Sequence, residues 1–140
     1  DRLNMLKLAL KKYPHFSFSD IELKKKEVSY TINTLRELKT NDNELNLIIG
    51  YDNYTLFDKW YLPEEILKIS NVLVLRRAIN LPELKVNHNY QGFEFIDNPI
   101  VNIASTTIRE MVSNNISIDG LVPDEVQTYI IDNKLYTKNK

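Results

Sequence analysis

Leu45-Asn46-Leu47-Ile48-Ile49-Gly50 is the stretch that decides the fold. It is a short apolar run, preceded by the turn-forming Thr40-Asn41-Asp42-Asn43 and closed by glycine. A run of that kind suits a strand buried in a parallel sheet. Val72-Leu73-Val74-Leu75 repeats the signal. Between the two, Pro63 opens a helix carrying Ile66, Leu67 and Ile69, since proline is favoured at a first helical position. Parallel strands need a crossover of this type. The chain therefore reads as α/β with a mostly parallel sheet.

Working outward, Ser29 is a plausible N-cap for a helix through about Lys39, with Ile32, Leu35 and Leu38 on its inner face. Upstream, Leu3, Met5, Leu6, Ala9 and Leu10 predict an amphipathic helix over 1–12, stopped by Pro14. Phe16 and Phe18 alternate toward Ile21 and suggest a short strand ending near Leu23. Lys24-Lys25-Lys26-Glu27 reads as a solvated loop. Downstream, Phe93–Ile96 and Ile100–Ile103 are strand candidates split by a turn at Asp97-Asn98-Pro99. A helix is predicted from about Thr106 to Asn114, a turn at Asp119-Gly120, and a last helix from Pro123 to about Asp132. Residues 79–92 show no periodicity. With no repeat and no low-complexity linker, residues 1–140 are expected to form a single domain.

The charges nearly cancel, 18 basic against 19 acidic residues, for a net −1. That argues against a nucleic-acid or membrane-surface binder, so any anion must be held by local geometry. Cysteine is absent, which rules out disulfides and thiolate zinc sites and fits a reducing cytoplasm, the location expected. No apolar run approaches the roughly 18 residues of a membrane span. His15 and His88 stand in no metal-ligand spacing. The chain begins at Asp1, without methionine and already inside a helical repeat, so its first strand is expected to lie outside these residues.

In sheets of this class, ligands gather beyond the carboxyl ends of the strands, where loops lead into helices. Three stretches fit. In Ile103-Ala104-Ser105-Thr106-Thr107-Ile108-Arg109 an apolar run enters a helix through three hydroxyl residues. The first N–H groups of a helix are unpaired and carry partial positive charge. Arg109 follows about one turn after Ser105, placed to clamp a phosphate. Spacing alone equally fits an ordinary capped helix with Thr107 and Glu110 as a capping box.

Ser29-Tyr30-Thr31-Ile32-Asn33-Thr34-Leu35 is a second helix start suited to a carboxylate or phosphate, or a helix with Tyr30 as a packing anchor. In the third stretch, Gly50 permits close approach of a ligand to the strand end, and Asp52 suits ribose hydroxyls. Trp60 offers a flat face to a pyridinium, although core packing is the default for a single tryptophan. Arg76-Arg77, directly after the strand at 72–75, suit a phosphate or carboxylate, or simply the surface.

The order of these stretches resembles the bacterial nicotinate-mononucleotide adenylyltransferases. Ala104-Ser105-Thr106-Thr107-Ile108-Arg109 is similar to the family's Ser-Ser-Thr-x-Ile-Arg, with Ala104 in place of the first serine. Ser29 to Leu35 resembles Ser-Tyr-Thr-x-x-Thr-Leu, and Ile49-Gly50-Tyr51-Asp52 with Trp60 resembles Ile-Gly-x-Asp…Trp. Leu121-Val122-Pro123 and the helix after it look like the family's last helix.

The resemblance implies a Rossmann-like nucleotidyltransferase fold. It implies adenylyl transfer from ATP to nicotinate mononucleotide, with Mg2+ accompanying ATP, in an enzyme that could be a homo-oligomer. It assigns the ATP phosphates to Ser105, Thr106 and Arg109, and the pyridine nucleotide to Tyr30, Thr31, Gly50, Asp52, Trp60, Tyr61 and Arg77. The family's catalytic signature, Gly-x-Phe-Asp-Pro-x-His-x-Gly-His, does not occur in these residues, so the catalytic residues are unassigned and the chain alone is expected to turn over slowly, if at all. Two alternatives remain open from sequence: a non-catalytic nucleotide-binding module of the same fold, and a sister adenylyltransferase acting on another phosphate acceptor, such as phosphopantetheine.

Overall fold

In a computed structural model, residues 1–25, 28–76, 90–101 and 103–137 are described. Their contacts gather into two compact units, Asp20–Asn102 and Asp1–Ser19 with Ile103–Lys140.

The first unit carries the sheet. Strands β1 (Asn46–Gly50), β2 (Asn71–Leu75) and β3 (Phe93–Ile96) lie side by side in that order, all parallel. Gly50 stands level with Leu75, and Leu75 with Ile96, so the three strands end together. Helices α3 (Thr31–Leu38) and α5 (Pro63–Ile69) cover one face. Ile32 and Leu35 from α3 and Ile66 from α5 join Ile49, Val72, Val74 and Phe57 in one buried cluster. These residues alternate along the strands and recur at helical spacing, which is why the sequence pattern was readable. The buried Ser70 hydroxyl donates to the Ile66 carbonyl at 2.8 Å, so no polar atom is stranded at the α5–β2 junction.

The sequence predicts β1 as buried, but Ile48 is 60% exposed. Among the described strands β1 lies at one side of the sheet, and the sheet face bearing Ile48 is the one turned away from α3 and α5. Three further elements differ from expectation. Phe16 and Phe18 are not in a strand; the segment is irregular up to α2 (Ile21–Lys24). Their alternation has another cause. The Phe16 ring meets Tyr13 edge-on at 6.2 Å, and the Lys7 ammonium sits 4.9 Å from the Phe18 ring centre. Ile100, Val101 and Ile103 are in no strand either; β3 ends at Ile96, and no strand among the described residues pairs with them. Ser29 is not the N-cap of α3; that position belongs to Tyr30, whose backbone is extended there. In the charged run after Leu23, Lys24 ends α2 and Lys25 pairs with Glu37, while Lys26 and Glu27 lie outside the described residues.

The chain between β1 and α5 folds as α4 (Tyr51–Thr55) and a 3-10 turn (Phe57–Lys59). Leu62 then takes a left-handed backbone, φ 52°, immediately before Pro63. A non-glycine residue in that region costs roughly 1–2 kcal/mol. Across the surface of this unit, Arg36 Nε and Nη2 donate to the two carboxylate oxygens of Glu65 at 2.9 and 2.6 Å, clamping α3 to α5.

The second unit packs α1 (Arg2–Leu10), α6 (Ser105–Ser113) and α7 (Asp124–Asp132). Ile118, Val126 and Ile130 form its buried centre, with Met5, Leu8, Ile108 and Met111 against it. Both α6 and α7 close in the same way. Asn115 and Lys134 adopt left-handed φ of 57° and 49°. The N–H groups of Ile116 and Leu135 then reach back to the carbonyls of Met111 and Ile130 at 2.8 and 3.0 Å, the Schellman arrangement. Among the described residues, no helix is long and apolar enough to cross a membrane.

Candidate functional site

The start of α6, like those of the other described helices, has no side-chain cap; its residues set it apart. Its N-cap is Ala104, which has no side-chain oxygen to offer, and no side-chain cap forms. The proposed Thr107–Glu110 capping box is absent, because Thr107 is already the third helical residue. Ser105, Thr106 and Thr107 thus occupy the first three positions, all exposed, where backbone N–H groups have no partner within the helix. Arg109 folds back toward them, and its Nη2 donates to Thr106 Oγ1 at 3.2 Å. Three amides, three hydroxyls and a guanidinium therefore gather at one helix end, suited to an oxyanion with several oxygens.

In the sheet unit, residues far apart in sequence come together. The rings of Tyr30 and Tyr61 lie 4.5 Å apart, tilted by 38°. Tyr30 precedes α3, and its carbonyl accepts the Asn33 N–H at 3.0 Å; Thr31, half-buried, is the first residue of that helix. Both tyrosines remain largely exposed. Trp60 ends the 3-10 turn, its N–H donating to the Phe57 carbonyl at 3.1 Å. It is half-buried, one side packed 5.3 Å from the fully buried Phe57 ring. It therefore serves the core on one side.

Gly50 and Asp52 stand at the carboxyl end of β1. The Gly50 backbone is extended, φ −78°, so glycine is not required there by its torsions. Asp52 is exposed in the first turn of α4, and its carbonyl accepts the Thr55 hydroxyl at 2.8 Å. Arg76 follows β2 at the same end of the sheet and meets Asp97 at 3.8 Å, a loose pair because Asp97 is almost wholly exposed. Arg77 and His88 lie outside the described residues.

Two features were not singled out from sequence. Asn98 locks the loop after β3 to β2: its Oδ1 accepts the Arg76 N–H at 2.9 Å and its Nδ2 donates to the Arg76 carbonyl at 3.1 Å. The Asp-Asn-Pro turn signal marked the spot but not the partner. Tyr54 packs edge-on against Phe93 and Phe95 at 4.9 and 5.0 Å, fixing α4 over β3. Burial, helped by Tyr51, raises its hydroxyl above the ordinary pKa of 10.0, so it stays protonated.

No family model matches the chain. A probable nicotinate-nucleotide adenylyltransferase of Caldicellulosiruptor saccharolyticus is 40% identical, over 97% of this chain and 72% of the relative. The chain belongs to the nicotinate-nucleotide adenylyltransferase family. Similar proteins of that name from Hydrogenobaculum sp. and Dehalococcoides mccartyi are 37% and 34% identical, each over 99% of this chain and 72% of the relative. Among solved structures, Plasmodium falciparum nicotinic acid mononucleotide adenylyltransferase complexed with APC superposes with a TM-score of 0.74, at 16% identity, over 96% of this chain and 74% of that one. That likeness establishes the fold, the Rossmann-like nucleotidyltransferase type with a parallel sheet. The family motifs thus fall into two groups here: Tyr30, Thr31, Gly50, Asp52, Trp60 and Tyr61 in the sheet unit, and Ser105, Thr106 and Arg109 in the helical one.

Proposed function

We propose that this chain takes part in adenylyl transfer from ATP to nicotinate mononucleotide, in the assembly of a pyridine dinucleotide. An oxygen of the mononucleotide 5′-phosphate attacks the α-phosphorus of ATP. The bond from that phosphorus to the bridging oxygen breaks, and pyrophosphate leaves with the electron pair. No covalent enzyme intermediate is needed, so the protein's work is positioning and stabilising phosphate charge. The observation that carries the reading is the run of exposed hydroxyl residues Ser105, Thr106 and Thr107 at the start of α6, with Arg109 turned onto Thr106, inside a chain of this family.

On this reading Ser105, Thr106 and Arg109 hold the triphosphate. Tyr30, Thr31 and the Tyr61 backbone meet the nicotinate carboxylate, Trp60 stacks on the pyridine ring, Gly50 and Asp52 meet the ribose, and Arg77 is assigned to a phosphate or carboxylate of the mononucleotide. Residues 1–140 act as one nucleotidyltransferase domain, working in the cytoplasm and open to assembly as a homo-oligomer. Magnesium would supply charge neutralisation on the phosphates when bound. Among the described residues there is no cluster of three or more His, Cys, Asp or Glu that could hold a metal.

The test measures binding and turnover separately. Arg109→Ala should weaken ATP roughly tenfold or more, the effect of losing a charged hydrogen bond, and leave nicotinate mononucleotide unaffected. Equal ATP affinity in the variant would remove the phosphate assignment. Pyrophosphate release by the 140-residue chain should be slow, because the family's histidine signature is not among its residues. Fast release would overturn that part.

A further inference from the structure

We propose that Arg2 is a second guanidinium ligand for the polyphosphate of the nucleotide, reaching it from α1. The inference rests on the reading of Ser105, Thr106 and Arg109 as the triphosphate motif, and adds a residue that no motif picked out. In the helical unit a cavity of about 250 Å3 lies among α1, α6 and α7. Arg2, Ser105 and Arg109 line its polar side, and Met5, Ile108 and Val126 form part of its apolar floor.

No carboxylate is among the described residues that line the cavity. Arginine stays charged at every physiological pH. Arg2, Ser105 and Arg109 are all solvent-exposed where they line this space, so an anion with several oxygens can approach both guanidinium groups at once. Arg109 is held by the neutral Thr106 hydroxyl, and Arg2 has no ion pair among the described residues. The nearest acid in sequence, Asp1, accepts the Tyr129 hydroxyl at 2.9 Å on Oδ1. With a net charge of only −1, the chain provides no general basic field to explain two unpaired arginines at one place. A group bearing several negative oxygens, such as the pyrophosphate portion of a nucleoside triphosphate, meets both guanidinium forks and the Ser105 hydroxyl.

Inorganic pyrophosphate titrated calorimetrically into the full chain tests this. Arg2→Gln removes the charge and the guanidinium fork while keeping a polar side chain of good helix propensity, and circular dichroism checks that α1 survives. It should weaken pyrophosphate roughly tenfold to a hundredfold. Arg2→Lys should recover part of the loss, as a point charge without the planar fork. Affinity for nicotinate mononucleotide, read from Trp60 fluorescence, should not change. If Arg2→Gln binds pyrophosphate as the parent does while Arg109→Ala does not, Arg2 is no ligand and the motif reading stands alone. If only Arg2→Gln weakens binding, the motif reading falls, and with it Arg2's place as a second ligand beside Arg109. A parent chain that does not bind pyrophosphate overturns both.

Discussion

Trp60 is the residue at which core and pocket roles can be separated by measurement. Its ring is half-buried, with one side against Phe57. An aromatic side chain buries about 150–250 Å2 when fully covered. Half of that, at about 25 cal/mol per Å2, gives roughly 2–3 kcal/mol, and the contact with Phe57 adds about 1 kcal/mol. Trp60→Ala should therefore lower stability by roughly 3–4 kcal/mol, a loss that a domain with 5–15 kcal/mol of stability survives. Trp60→Phe retains a ring on Phe57 and should lose about half as much.

The ligand role predicts a separate effect. A pyridinium stacked on the free side of the indole gains about 1–2 kcal/mol, so Trp60→Ala should weaken nicotinate mononucleotide about fivefold to thirtyfold. Urea unfolding followed by circular dichroism gives the first quantity, and calorimetry with the folded variant gives the second. Lost stability with unchanged affinity would refute the pocket role and leave Trp60 as a core residue.

Three other outcomes test the structure directly. Lys134→Gly should raise the melting temperature by a few degrees, because glycine adopts the left-handed position at φ 49° without the roughly 1 kcal/mol strain of a side chain; a lower melting temperature would contradict the strain argument. A double-mutant cycle on Arg36→Ala and Glu65→Ala, read by urea unfolding, should give a coupling of about 0.5–1 kcal/mol, since the pair is bidentate but partly exposed. A coupling indistinguishable from zero would show that the clamp does not hold α3 to α5.

The Lys12–Glu125 pair, 3.0 Å apart, should matter in a defined pH window. Lys12 holds Glu125 below its ordinary 4.5, so that contribution is present above 4.5 and lost as pH falls through the lowered value. Glu125 in turn lifts Lys12 above 10.5, so its contribution is complete below 10.5 and lost as pH rises through the higher value. The urea midpoint of Glu125→Gln should approach that of the parent in acid and in strong base, and fall below it between; a constant difference across pH would break the assignment.

What could be read from sequence were the elements whose own residues settle their form. Leu45–Gly50, Val72–Leu75 and the Pro63 helix carry period, length and punctuation in a few adjacent positions, and all three are where expected. Errors came where a local pattern served a different contact. Phe16 and Phe18 alternate like a strand, but they grip Tyr13 and Lys7. Ile100 and Val101 are strand formers, yet no strand among the described residues pairs with them. Site residues were legible only as far as motif order reached. Tyr30 and Tyr61 were each singled out, but their ring contact joins positions 31 apart and needed the fold. Arg2 lay in an ordinary helical repeat, and nothing in its spacing connects it with Ser105.

The absent cap on α6 has a thermodynamic consequence. A serine or threonine at position 104 would contribute about 1 kcal/mol to the helix by itself, and Ala104 forgoes it. If a triphosphate is what satisfies those amides, the nucleotide completes the secondary structure of the protein as well as occupying its surface. The first turn of α6 would then fray more readily without ATP than with it, and amide exchange at Thr106 and Thr107 would slow on binding. Folding of that turn and recognition of the nucleotide become a single linked equilibrium.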